Sequence, residues 1–228
     1  MLFADSLSID GHHAPLLRPT SLVAPASELT LVTAPTQQAR TALALGLSGR
    51  MKPDGGSVAW ESDADIRAVR RASALVDSPE INEPEQHLRV KDLVAEDLAL
   101  LPGPFWGTVS AARWLASHRL DHLANEWVDA ISPEDRLHLL ASLSLQDGNV
   151  KLLVFDSPDR HDLPGAEWTR LLRDVSTGRR QPAVVAVVQH IPDGWDGRTA
   201  AAEKDNLPRP AAEEHPDTEE PTDPQADS

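Results

Sequence analysis

The sequence predicts an α/β protein, a parallel sheet covered on both faces by helices. Three apolar runs carry this: residues 29–33 (LTLVT), 151–156 (KLLVFD) and 183–189 (AVVAVVQ). They are continuous rather than alternating, as expected of strands buried on both faces. Stretches with helical spacing of apolar residues separate them, the pattern of crossover connections. Residues 92 to 146 show only helical patterning and lie between two sheet segments, so they read as an all-helical insertion.

The elements follow in order. Residues 29–33 form a strand closed by Ala34-Pro35, and 41–47 (TALALGL) a helix. After the turn Pro53-Asp54-Gly55-Gly56, residues 57–60 (SVAW) read as a strand. Residues 68–76 carry a further strand. Residues 90–101 read as a helix that Pro102-Gly103-Pro104 breaks. Residues 109–118, 120–129 and 133–146 read as three more helices. Residues 151–156 form a strand, 166–177 an amphipathic helix and 183–189 a last buried strand.

Residues 1–195 therefore form one domain, a length that suits a single core. Residues 196–228 read as a disordered acidic tail. From Ala200 on there are nine acidic residues against two basic ones, and prolines at 208, 210, 216, 221 and 224. Such text buries too little apolar surface to offset the entropy of ordering it. The net charge of −15 argues against nucleic-acid binding, which needs a basic footprint. Without cysteine there is no disulfide framework, thiolate metal site or cysteine nucleophile. No apolar run approaches the ~20 residues that span a bilayer. No secretion signal is apparent, and a cytoplasmic protein is expected.

Ligands of open α/β sheets bind beyond the carboxyl ends of the strands. Two such ends stand out. Ala34-Pro35-Thr36-Gln37-Gln38-Ala39-Arg40-Thr41 lies between strand and helix with the spacing of the phosphate-binding loop G-x-x-x-x-G-K-[ST]. Leu152–Asp156 is an apolar strand ending in a carboxylate, where P-loop enzymes hold magnesium. The pair His12-His13 also suggests a metal, but no further ligands have matching spacing.

With these ends placed, the chain resembles the ATP-binding cassette subunit of ABC transporters, from about Leu7 to His190. Residues 7–11 (LSIDG), Leu22-Val23 and Glu28-Leu29 look like the cassette's opening strands. Residues 49–58 (GRMKPDGGSV) match its G-x-x-x-P-x-x-G-x-V segment. Ile131-Ser132-Pro133-Glu134-Asp135 sits where the signature L-S-G-G-Q falls, and Val187-Val188-Gln189-His190 looks like the strand ending in the switch histidine. The resemblance implies a P-loop NTPase-like sheet with an antiparallel β part at the N-terminus. It also implies ATP and Mg2+ as cofactors: residues 34–41 and Ser132 would contact nucleotide, Thr41 and Asp156 would hold the metal, and His190 would meet the γ-phosphate. The form of residues 71–98 looks similar to cassette-like proteins of high-GC actinobacteria.

Against that pattern several positions depart. Ala34 and Ala39 stand for glycines that let backbone N–H groups approach phosphate, and Arg40 stands for the lysine. Ser157 occupies the position of the glutamate that polarises water, and a hydroxyl is a poor base near neutral pH. Asp159 or Asp162 could substitute only with altered spacing. Ser132 and Pro133 make a good helix start whose Glu134 and Asp135 would repel a phosphate. The usual glutamine falls on Asp77 or Ser78, with Gln86 too far along. His12 or His13 takes the place of the adenine-stacking aromatic.

Two functions follow from the resemblance. One is a degenerate cassette subunit with weak or lost ATP hydrolysis, structural or regulatory beside a transmembrane partner at the inner face of the membrane. The alternative is a functional ATPase with relaxed motifs that energises transport. Either would pair as a homodimer or heterodimer with another cassette.

Overall fold

The computed structural model describes residues 1–101 and 109–208. Three strands at the start, β1 (Leu2–Ile9), β2 (Leu17–Ala24) and β4 (Gly55–Trp60), form an antiparallel sheet in the order β2-β1-β4. A parallel sheet of five strands stands against it, ordered β5-β6-β7-β3-β8. Its members are β3 (Leu29–Thr33), β5 (Ser73–Val76), β6 (Leu152–Asp156), β7 (Ala183–Val188) and β8 (Arg198–Ala201). The helices are α1 (Gln37–Leu47), α2 (Ile66–Ala72), α3 (Val90–Ala99), α4 (Ala111–Ser117), α5 (Pro133–Ser144) and α6 (Gly165–Thr177). The α/β class, the antiparallel N-terminal part and the helical segment are all present as expected. Among the described residues no helix is long and apolar enough to cross a membrane.

The period of two along each strand explains why the apolar runs do not alternate. Val32, Leu75, Leu152, Val154, Val185 and Val187 face a core shared with α1 and the antiparallel sheet. Leu29, Leu31, Val76, Leu153, Phe155, Val184 and Val188 face a second core under α3 to α6. The central strands β6 and β7 therefore carry apolar side chains on both faces. α1 ends at Leu47, and two residues on the chain turns at Gly49, whose φ of 66° lies in the left-handed region; a β-carbon there would meet the Arg70 backbone nitrogen at 2.9 Å.

Four expectations are corrected. The helix after β3 starts at Gln37, not Thr41, because the Thr36 hydroxyl caps it by accepting from the Ala39 N–H. Residues 68–76 are not one strand: α2 runs through Ala72, capped by Asp65, and only the last four residues pair with β6. Val69 is the one buried residue of α2, and the arginines around it stay in solvent, which a doubly buried strand would forbid. Residues 120–129 form no helix beyond a 3-10 turn at Asp121–Leu123. Their backbone bonds instead to residues 88–90 of the same chain, with Val128 N–H on the Leu88 carbonyl and Val90 N–H on that of Glu126. Finally, order persists beyond residue 195. β8 pairs with β3 in parallel register, and Asn206 bonds Ser21 and Ala201. The acidic tail can begin only after this, and residues 209–228 lie outside the described residues, as do residues 102–108 with the break expected at Pro102-Gly103-Pro104.

Candidate functional site

The carboxyl ends of β3, β5 and β6 converge, as the topology of an open sheet requires. β6 delivers Asp156 and Ser157; the loop after β3 and the first turn of α1 deliver Gln37, Arg40 and Thr41; the end of β5 delivers Asp77 and Ser78. Asp156, Ser157 and Ser78 are buried, and Arg40 is nine-tenths so.

Asp156 is fully engaged by the protein itself. Its Oδ2 accepts from the hydroxyls of Thr41 and Ser78, both at 2.7 Å, and its Oδ1 accepts from the Gln37 amide at 3.2 Å. The Ser157 hydroxyl has one proton for two acceptors, Asp156 Oδ1 at 2.9 Å and Gln37 Oε1 at 3.0 Å. Arg40 closes the group. Its Nε donates to Ser157 Oγ at 2.9 Å, one terminal nitrogen to the Ala34 carbonyl at 3.2 Å, and the other to Gln37 Oε1 at 2.9 Å. The guanidinium fork thus meets three neutral acceptors in directions that a lysine ammonium would not match.

Two of the backbone N–H groups around this cluster are taken by Thr36. In a phosphate nest, successive N–H groups point at the anion. Here the Ala39 N–H goes to Thr36 Oγ1 and the Arg40 N–H to the Thr36 carbonyl, because the segment has become the first turn of α1. The methyls of Ala34 and Ala39 pack into the first core, which gives both alanines a structural reason. These residues do not fit a nucleotide phosphate with its magnesium. The Arg40 and Gln37 side-chain donors are turned inward, and the carboxylate already has its hydrogen bonds.

A second polar group adjoins it. Asp77, buried at the end of β5, takes Arg136 of α5 in a bidentate pair, with 2.7 and 3.1 Å contacts. Arg160 lies at 3.1 Å and His161 Nε2 at 2.7 Å. Burial alone would raise this carboxyl; the His161 and Arg136 hydrogen bonds and the charges of Arg160 and Arg136 override it. They hold Asp77 well below the ordinary carboxylate range. Asp77 and Ser157 both have left-handed φ values, 54° and 55°, uncommon without glycine. Each is held there by its bonds to the neighbouring elements.

The other expected site residues stand apart. Ser132 caps α5, accepting from the Asp135 N–H at 3.1 Å and donating to its carboxylate at 2.8 Å. Glu134 lies 3.7 Å from Arg170 in the exposed layer. His190 is exposed two residues beyond β7. Asp159 accepts from the Gln189 N–H. Gln86, His12 and His13 are exposed, and the described residues contain no cluster of three or more metal-ligating side chains.

The sequence reading missed Gln37 and Ser78 as partners of Asp156, and Asp77 as an ion-pair centre. One signal was available: Gln37 stands four residues before Thr41, on the same face of a helix once its start is placed correctly. An open, largely apolar groove of about 590 Å3 adjoins the cluster, which lends it Gln37 and Thr41, and runs between Leu16, Leu45 and Ile81. A larger one of about 620 Å3 lies between α5 and α6, bordered by His118, His138 and Arg179, and shares no residue with the cluster. Burial, together with the neighbouring His118, pushes the His138 imidazole down from its ordinary value.

No protein-family model matches the sequence, and no curated protein matches it significantly. Solved structures do. An ATP-binding protein of an ABC transporter from Pyrococcus furiosus is 16% identical with a TM-score of 0.64, the match covering 88% of this chain and 96% of that one. MJ0796, a bacterial ABC transporter cassette solved as a dimer, gives 17% and 0.63, over 84% of this chain and 89% of that one. The cbiO1 protein of Clostridium perfringens, part of the cbiONQ transporter complex, gives 14% and 0.61, over 83% and 78%. At these identities the likeness is one of fold: the chain has the fold of ABC transporter cassettes.

Proposed function

We propose that this chain is a cassette-fold subunit that has lost ATP hydrolysis and acts structurally or as a regulator beside a transmembrane partner at the membrane's inner face. One observation carries the reading: Arg40 is bonded inward to Gln37 and Ser157, and Asp156 accepts from Gln37, Thr41 and Ser78 instead of standing free for a metal. Ser157 in place of a carboxylate base, and Ser132-Pro133-Glu134-Asp135 at the helix start that would face a partner's phosphate, point the same way. Losing one preorganised donor costs about 10²–10³ in turnover, so losses at three places leave little.

Partners are inferred from the relatives. MJ0796 was solved as a dimer and cbiO1 belongs to a multi-subunit transporter complex; a homodimer or heterodimer with another cassette, seated on a membrane subunit, extends this to the present chain. Titration calorimetry with Mg-ATP, on the chain alone and in its membrane complex, tests the proposal. Heat below detection at millimolar nucleotide is expected.

A second reading keeps a working ATPase with relaxed motifs, favoured by the direct pairing of Thr41 with Asp156, the two groups that would share a magnesium ion. Sub-millimolar binding with turnover abolished in Asp156→Asn establishes that reading and overturns the first.

A further inference from the structure

The chain carries a net charge of −15, yet one face is basic and uncovered. Arg67, Arg70 and Arg71 lie three and four apart on α2, so they share a stripe opposite the buried Val69. Arg50 is bound to the same corner: the Arg70 guanidinium donates to the Gly49 and Arg50 carbonyls, and Arg50 donates to Ser48 and Ser73. Lys151 joins them, its N–H on the Ala72 carbonyl. Elsewhere Arg136, Arg160, Arg170, Arg173 and Arg198 each have a carboxylate within 4.0 Å. None of the five cations of this corner has one among the described residues. The nearby Asp63 and Asp65 are engaged by backbone N–H groups at the start of α2. Burial, and then the charge of Arg70, lower the Arg50 guanidinium from its ordinary value, as expected of positive charge without a counterion.

The complementary charge lies in the same chain. Residues 209–228 hold seven carboxylates, Glu213, Glu214, Asp217, Glu219, Glu220, Asp223 and Asp227, against one arginine. Their point of departure is fixed. Ser21 of β2 donates to the Lys204 carbonyl at 3.0 Å and accepts from the Asn206 N–H at 2.9 Å. β2 is one edge of the antiparallel sheet, and β4, which α2 packs against, is the other. Two strand spacings are only about 10 Å, well within the ~66–72 Å that twenty residues can span at full extension.

We propose that residues 209–228 dock through their carboxylates on the α2 arginine face of the same chain. The occupant is identified by charge and reach rather than by shape, so the contact is ionic and yields to salt. It is independent of whether the chain binds nucleotide.

The absence of cysteine makes the test clean. Spin labels on Ser57→Cys, exposed on β4, and Thr222→Cys report the separation in the full chain. At 10 mM salt, where the screening length is about 30 Å, the mean distance should fall by roughly 5–10 Å relative to 1 M salt, where it is about 3 Å. Two charge variants at 10 mM should restore the 1 M distance. One is Arg67→Glu with Arg71→Glu, both exposed; the other replaces Glu213, Glu214, Glu219 and Glu220 by Gln and leaves the folded body untouched. A distance insensitive to salt, or unchanged in the glutamine variant, overturns the proposal. So does contact seen only between singly labelled chains and rising with concentration, which would place the segment on a second copy.

Discussion

Arg40 is the residue on which the site turns. It sits where a lysine would contact phosphate, but its fork is bonded inward to Ser157, Ala34 and Gln37. Arg40→Lys should therefore cost about 1–2 kcal/mol of stability, by leaving buried acceptors without donors, and should not create nucleotide binding. Urea denaturation and calorimetry of the variant check the two halves. Asp156→Ala should cost about 2–3 kcal/mol in the protein alone, because Thr41, Ser78 and Gln37 lose their common acceptor. A carboxylate kept only for a metal would show no such penalty in urea melts without metal. Asp77 gives a pH test. Its folded-state pKa lies below the unfolded one, so its stabilisation is complete above the ordinary carboxylate value of about 4 and fades as pH falls through the folded value. Asp77→Asn should thus lose about 3 kcal/mol at pH 7, and the gap to the parent should shrink below pH 4. Paired denaturation curves across pH 2.5–7 measure it.

At the scale of elements, the clear signals were those with one physical cause. β3, β6 and β7 were legible because burial on both faces forces continuous apolar text. The start of α5 was legible because Ser132-Pro133 is a cap and first-turn pair whatever surrounds it; Ser132→Ala should cost about 1 kcal/mol, seen as a shift in the thermal midpoint. α2 and β5 were misread as one strand because an arginine-rich turn and a four-residue strand share an apolar text too short for its period to decide. Residues 120–129 were misread because their backbone partners lie some forty positions away, at Leu88 and Val90, where no local pattern announces them. The site divided in the same way. The loop spacing pointed to Thr41 and the strand ending in a carboxylate to Asp156, which the fold brings into hydrogen-bond contact, while the inward turn of Arg40 depends on α1 starting at Gln37, a matter of one hydroxyl cap.

At the scale of the whole molecule, β8 decides where the fold ends. It covers the edge of β3, the strand that feeds the site, and its continuation ties the parallel sheet to β2 through Asn206. A chain stopped at residue 195 would leave β3 as an open edge and should aggregate in size-exclusion chromatography. A chain stopped at 208 should elute as a single species. The bonds of Arg40 have a consequence of another kind, for the paths by which sequences change. Glycine at 39 would leave the fork in place; lysine at 40 would lose its bonds to Ser157 and the Ala34 carbonyl; removing Gln37 would take one donor from Asp156 and one acceptor from Arg40. Because these residues act as one unit, their effects do not add. Single substitutions of Arg40 or Gln37 should therefore lower stability by more than their separate contacts suggest, and a loop of the form G-x-x-x-x-G-K-[ST] would be reached here only through several changes made together.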